Sequence, residues 1–124
     1  MSAHSILIVD DDTILSGLLQ LTLELEGYTV QTAPDGAAAL EMIAANSFDL
    51  IILDIVMPRM DGIKFLRVIN DRGVKKPPII VISSKADNEL TDQYRALGVV
   101  GIARKPIEPA QLVVRVAEAL SPKA

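Results

Sequence analysis

Five short apolar runs recur along the chain, separated by segments whose apolar positions are spaced as on one face of a helix. The first run, Ser5 to Val9, stops at Asp10-Asp11-Asp12. Between Thr13 and Glu26, residues Ile14, Leu15, Leu18, Leu19, Leu21 and Leu25 make a broad apolar stripe, and Gly27 stands where a helix commonly ends on a left-handed residue. Tyr28 to Thr32 reads as a second strand and Pro34-Asp35-Gly36 as a turn. Ala37 to Asn46 reads as an alanine-rich helix with Leu40 and Ile43 toward the core, and Asp49 to Leu53 as the third strand.

Asp61 is placed to cap a helix whose inner face is Phe65, Leu66 and Ile69. Lys75-Lys76-Pro77-Pro78 breaks the chain before a fourth strand, Ile79 to Ile82. Leu90, Tyr94 and Leu97 mark a further helix closed by Gly98, and Val99 to Ala103 is the fifth strand. Pro109 opens a last helix with Leu112, Val113, Val116 and Leu120 inward and Val114, Arg115 and Glu118 outward. Near-continuous apolar strands alternating with helices predict an α/β fold, a parallel sheet with helices on both faces.

Ligands of such sheets bind beyond the carboxyl ends of the strands, so the polar residues there are the ones to collect. They are Asp10, Asp11 and Asp12 after the first run, Asp54 after the third, Ser83 and Ser84 after the fourth, and Lys105 after the fifth. Asp54 is the sharpest of these. It closes the apolar run Leu50 to Leu53, and an unpaired ionised carboxylate at the end of a buried strand is unfavourable by several kcal/mol, so it needs partners or a task. Asp10 and Asp11 are able to face one pocket because the strand has ended where they stand.

Converging carboxylates repel and raise one another's pKa unless a cation joins them. Mg²⁺ suits this set, since it takes oxygen ligands from one or two carboxylates and keeps positions for water and phosphate. Asp54 is then a candidate nucleophile toward a phosphoryl group. The ammonium of Lys105 and a serine hydroxyl would share the charge on the phosphoryl oxygens. Each residue also has an ordinary reading: Asp12 as a helix cap, Lys105-Pro106 as a surface turn, the serines as local backbone partners. Their joint placement at one sheet edge is what points to an anion-plus-metal site. Phosphate-loop, dinucleotide-loop and zinc-protease motifs do not occur, and His4, the only histidine, lies in the N-terminal segment away from the site edge.

The 124 residues fit one domain with one core. Without cysteine there are no disulfides or thiolate metal sites, and a reducing, intracellular setting is expected. The net charge of −4 gives no basic field toward nucleic acid or anionic lipid. The N-terminal apolar run is too short for a secretion signal or a membrane span, so a soluble cytoplasmic protein is expected.

The sequence closely resembles the receiver domains of bacterial two-component response regulators. The markers are LIVDDD at 7–12, LDIVMPRMDG at 53–62, VISS at 81–84 and RKPI at 104–107, and the likeness runs from about Ser5 to Leu120. It implies that residues 1–124 are one receiver, with a flavodoxin-like, doubly wound five-stranded sheet in the order 2-1-3-4-5, which periodicity alone does not decide. It makes Asp54 the phosphoacceptor. Asp11 would bind Mg²⁺ directly, Asp10 through water, and the backbone carbonyl of Val56 would complete the protein's share of the metal shell with Asp54. Ser83 would be the hydroxyl that moves toward the phosphoryl group, with Ser84 the alternative register. Lys105 would pair with the phosphoryl oxygens, and the Lys105–Pro106 bond would be cis.

The same resemblance implies a histidine kinase or phosphotransfer protein as donor. Phosphorylation and slow loss of the phosphoryl group would be catalysed by the domain itself, without its being an enzyme in its own right. A switchable surface would span Asn88 to Leu97, Val99 to Arg104 and Ala110 to Leu120, open to an output partner or to dimerisation. Two departures stand out. Ile102 occupies a position that is often aromatic in the family, and Ile107 one that is commonly Phe. Apolar Val56, two residues past Asp54, does not orient an attacking water, which implies a long-lived phosphoryl group. GVVGIARKPIEP also lacks the acidic stretch of winged-helix transcription-factor receivers, which disfavours their shared dimer mode. Two other readings compete. An aspartyl phosphatase of the haloacid-dehalogenase type would use Asp10 and Asp12, but Ile14 and the lone Glu108 do not fit it. A receiver-like scaffold that is not phosphorylated has only Ile102 in its favour.

Overall fold

In a computed structural model the residues described are 4–54, 62–71, 77–83 and 95–120. Strands β1 (Ser5–Val9), β2 (Thr29–Ala33), β3 (Leu50–Asp54), β4 (Ile79–Ser83) and β5 (Val99–Arg104) form one all-parallel sheet in the order β2-β1-β3-β4-β5. With them run α1 (Thr13–Leu25), α2 (Gly36–Ala45), α3 (Gly62–Asp71) and α4 (Pro109–Leu120). The fold is therefore the doubly wound α/β class in the expected order. Element ends differ from the expected ones by a residue or so; β2, for example, runs from Thr29 to Ala33 rather than from Tyr28 to Thr32.

Strand alternation splits the core in two. Leu7, Val9, Ile51, Leu53, Ile79 and Val81 pack with Ala39 of α2 and Phe65, Leu66 and Ile69 of α3. Ile6, Ile8, Leu50, Ile52, Ile80 and Ile82 pack on the other face with Leu19 and Leu23 of α1 and Leu112 and Val116 of α4. Helices on both faces leave every residue of β3 and β4 buried, and this explains why these strands read as unbroken apolar runs.

The caps behave as their chemistry dictates. Asp12 Oδ1 accepts from the N–H groups of Ile14 and Leu15 at 3.1 and 3.0 Å, and Asp35 Oδ1 accepts from Ala38 N–H at 2.8 Å. α1 closes with Gly27 at a φ of 97°. There the Gly27 N–H donates to the Glu24 carbonyl and the Tyr28 N–H to the Leu23 carbonyl, the bond pair of a Schellman ending. Gly98 likewise takes a φ of 95° ahead of β5.

The structure corrects the expected inner face of α1. Its buried residues are Ser16, Leu19 and Leu23. Of the six residues in the expected stripe Leu19 is buried and Leu15 half-buried, whereas Ile14, Leu18, Leu21 and Leu25 are exposed. Leucines cover more than half of this helix's circumference, from the exposed Leu21 round to the buried Leu23, so periodicity does not mark which edge of that arc meets the sheet. In α2, the small residues Gly36 and Ala39 are the buried ones, and Leu40 and Ile43 are only partly covered at the rim. In α4, Leu112 and Val116 are buried, Val113 and Leu120 half-buried, and Val114, Arg115 and Glu118 exposed, as expected. The expected helix over 90–97 and the cap at Asp61 fall largely or wholly outside the described residues. Among the described residues no helix is long and apolar enough to cross a membrane.

Candidate functional site

Val9 of β1 is paired with Leu53 of β3, so Asp10 and Asp54 come level at the carboxyl edge of the sheet. Each continues the series that packs under α1 and α4, Ile6 and Ile8 in one strand and Leu50 and Ile52 in the other. Alternation therefore directs both carboxylates to the same side. The Asp10 N–H donates to the Ala33 carbonyl at 3.0 Å, and Asp10 Oδ1 accepts from the Asp12 N–H at 2.9 Å. Asp10 and Asp54 are buried and Asp11 is exposed. One carboxylate oxygen from each of Asp10, Asp11 and Asp54 lies within 4.8 Å of the others.

Lys105 arrives from the fifth strand. Ser83 is paired with Arg104, and the next backbone N–H, that of Lys105, donates to the Ser83 carbonyl at 2.8 Å. The side chain then reaches back across β4, and its Nζ lies 3.2 Å from Asp54 Oδ2 and 3.7 Å from Asp10 Oδ2. The Lys105–Pro106 peptide bond is cis. Ser83 is fully buried at the end of β4. Ile102, paired with Val81, is half-buried against the core that faces α2 and α3. The expected cluster of Asp10, Asp11, Asp54, Ser83 and Lys105 is thus assembled at one edge. Val56 and Ser84 lie outside the described residues.

The charges are unequal. Among the described residues, three carboxylates face one ammonium, and no hydrogen-bond donor reaches Asp10 Oδ2. Burial, reinforced by the charge of Asp54, pushes the Asp10 carboxyl up to about 6, against the lowering effects of the Asp12 N–H and of Lys105. Burial by itself would lower Lys105; the carboxylates of Asp10 and Asp54 outweigh it, and its pKa is raised. A pocket of hard oxygen donors with surplus negative charge and an unmatched buried oxygen fits a divalent cation such as Mg²⁺.

Asp12 is not part of this cluster. Its side chain is exposed and caps α1, so the Asp10–Asp12 pairing of the phosphatase reading is not assembled. What sequence reasoning missed is backbone: the Ala33 carbonyl and the Asp12 N–H that fix Asp10. No side-chain signal marks such groups.

The chain belongs to the response regulators: the family model described as the response regulator receiver domain matches residues 6–117. It is 34% identical over 111 residues to the transcriptional regulatory protein CseB of Streptomyces avermitilis, covering 90% of this chain and 46% of that one. Against the transcriptional regulatory protein ResD of Bacillus subtilis it is 35% identical, covering 90% and 45%. This chain thus spans about half the length of the curated relatives it matches. Among solved structures, the chemotaxis protein CheY4 of Vibrio cholerae superposes with a TM-score of 0.87 at 31% identity over 96% of this chain and all (100%) of that one. A putative response regulator from Chloroflexus aurantiacus gives 0.87 at 32% identity over 98% and 100%. This is a signalling domain of the two-component type, with the sheet order of those neighbours.

Proposed function

We propose that Asp54 accepts a phosphoryl group, in a Mg²⁺-dependent reaction, from the phosphohistidine of a partner histidine kinase or phosphotransfer protein in the cytoplasm. The observation that carries this reading is the position of Lys105 Nζ, 3.2 Å from Asp54 Oδ2 inside a three-carboxylate cluster. An Asp54 carboxylate oxygen forms the new P–O bond as the P–N bond to the donor imidazole breaks, and the bonding electron pair returns to the imidazole nitrogen. Lys105 holds the phosphoryl oxygens and offsets their charge, the main contribution a protein makes to phosphoryl transfer. Asp10, Asp11 and Asp54, with the backbone carbonyl of Val56, would hold a divalent cation, which would supply charge to offset the repulsion between the carboxylates and the incoming phosphoryl group.

Ser83, at the carboxyl end of β4 beside the strand of Asp54, supplies the hydroxyl that moves toward the phosphoryl group, and its carbonyl accepts from the Lys105 N–H. A new charge at Asp54 biases Ser83 and Ile102, and through them the surface of 88–97, β5 and α4 that an output partner or a second copy would read. The domain catalyses its own phosphorylation and slow dephosphorylation rather than turning over a substrate, and it does not bind nucleic acid itself. Intact mass after incubation with acetyl phosphate tests the reading. One phosphoryl adduct is expected with Mg²⁺, and none without Mg²⁺ or in Asp54→Asn. An adduct that survives Asp54→Asn would overturn it.

A further inference from the structure

A cleft of about 320 Å³ opens between the first half of α1 and the carboxyl end of β2. Its helix side is Thr13, Ser16, Gly17 and Gln20, spaced three, one and three residues apart and so lying on a single stripe of α1. Thr32 of β2 and the buried Asp10 also line it. Where α1 packs on the sheet it does so with Leu19 and Leu23. Along this stripe it offers hydroxyls, an amide and a bare backbone instead.

Two residues of the stripe are not explained by packing. Ser16 is 5% exposed, and among the described residues its Oγ has no hydrogen-bond partner. A buried hydroxyl is unfavourable in that state unless water or a ligand pairs with it. Gly17 weakens the interior of the helix, yet a Cβ there would meet no atom within 4 Å, so the fold itself does not demand glycine. Its bare backbone keeps the cleft open where a longer side chain would cover it.

The lining chemistry narrows what the cleft takes. Among the described residues Asp10 is its one charged group, and that carboxylate is already engaged by Lys105 and by the Asp12 N–H. The hydroxyls of Thr13, Ser16 and Thr32 and the Gln20 amide are neutral groups that both donate and accept. Gln20 Nε2 donates to the Val30 carbonyl at 3.3 Å, which leaves its amide oxygen to accept. No lining residue is aromatic, so a flat base has nothing to stack on. The volume lies at the lower end of the range for small-molecule sites. We propose that this cleft binds a small neutral polyol of about monosaccharide size, with Ser16 Oγ as its buried hydrogen-bond partner. The site does not depend on the phosphoryl chemistry proposed above, although Asp10 belongs to both.

Titration of the ¹⁵N-labelled full chain with myo-inositol, followed by amide chemical shifts, tests the proposal. Saturable shifts are expected at Ser16, Gly17, Gln20 and Thr32, with half-saturation at about 1–10 mM. Cyclohexanol, a ring of the same size with a single hydroxyl, should bind about tenfold more weakly or worse. Ser16→Ala should weaken myo-inositol binding by about tenfold with the fold intact. Gly17→Leu should abolish the saturable shifts while raising the melting temperature, a combination that loss of fold does not produce. Val114→Glu, on the exposed side of α4, should bind like the wild type. No saturable shift in the wild type, or saturable shifts only away from the cleft, would overturn the proposal. So would cyclohexanol binding as tightly as myo-inositol, or undiminished binding in Ser16→Ala or Gly17→Leu.

Discussion

Lys105 Nζ sits 3.2 Å from Asp54 Oδ2, across 51 positions of sequence. The contact exists because β3 and β5 flank β4 and both strands end at the same sheet edge. Removing the ammonium with Lys105→Met leaves Asp54 and Asp10 without their shared cation. The initial rate of phosphorylation by acetyl phosphate, followed by intact mass, should fall by roughly a hundredfold. Lys105→Arg should not restore it, since a planar guanidinium places its donors differently from a point charge.

Asp10 makes the metal-free protein pH-sensitive. Burial pushes its carboxyl up to about 6 in the fold, from an ordinary value of 3.8. Between these values the native state holds more protons than the unfolded one, so stability falls as pH rises from about 4 to about 6. Below that window the Asp10 contribution is fully present, and above it the contribution is lost. Asp10→Asn should therefore stabilise the metal-free protein at pH 8 by on the order of 1–2 kcal/mol in urea unfolding, while weakening Mg²⁺ binding. In the wild type Mg²⁺ affinity should drop as pH falls through about 6, because the proton competes for the same oxygen. Titration calorimetry at pH 5 and 8 checks this.

The two faces of α1 should respond in opposite ways to truncation. Leu23 is buried, and Leu23→Ala should destabilise by about 2–4 kcal/mol. Leu25 is 77% exposed, and Leu25→Ala should change stability by less than about 0.5 kcal/mol. Urea midpoints of the two variants at fixed slope decide the point.

The two glycines of this stretch should also differ in sign. At Gly27 the φ of 97° excludes a side chain without strain, so Gly27→Ala should destabilise by about 1 kcal/mol. Gly17 is helical with open space around it, so Gly17→Ala should stabilise the fold by about 0.5–1 kcal/mol. Thermal unfolding at low protein concentration measures both.

Central strands and buried acids were the most legible parts of this sequence. β3 and β4 are covered on both faces and so read as apolar runs, and a carboxylate ending such a run, as Asp54 does, stands out against it. Lys105 was legible only in company, since Lys-Pro alone is an ordinary surface turn; its placement with Asp54 depends on which strands neighbour which. The inner face of α1 was not legible at all. Leu15, Leu18, Leu19, Leu21, Leu23 and Leu25 cover more than half of the helix circumference, with Thr13, Gly17, Gln20 and Glu24 on the rest, and so broad an apolar arc does not mark which of its edges meets the sheet. In α2 the buried positions are Gly36 and Ala39, whose value is smallness, and a search for large apolar residues passes over them.

The most direct test of the central claim is to identify the modified residue itself. An aspartyl phosphate reduced with borohydride becomes homoserine, and peptide mass mapping of the treated protein locates it. Homoserine at position 54, formed only after incubation with Mg²⁺ and a phosphodonor, is the expected result. Homoserine at position 10, or a phosphoryl adduct with an unreduced Asp54, would contradict the account.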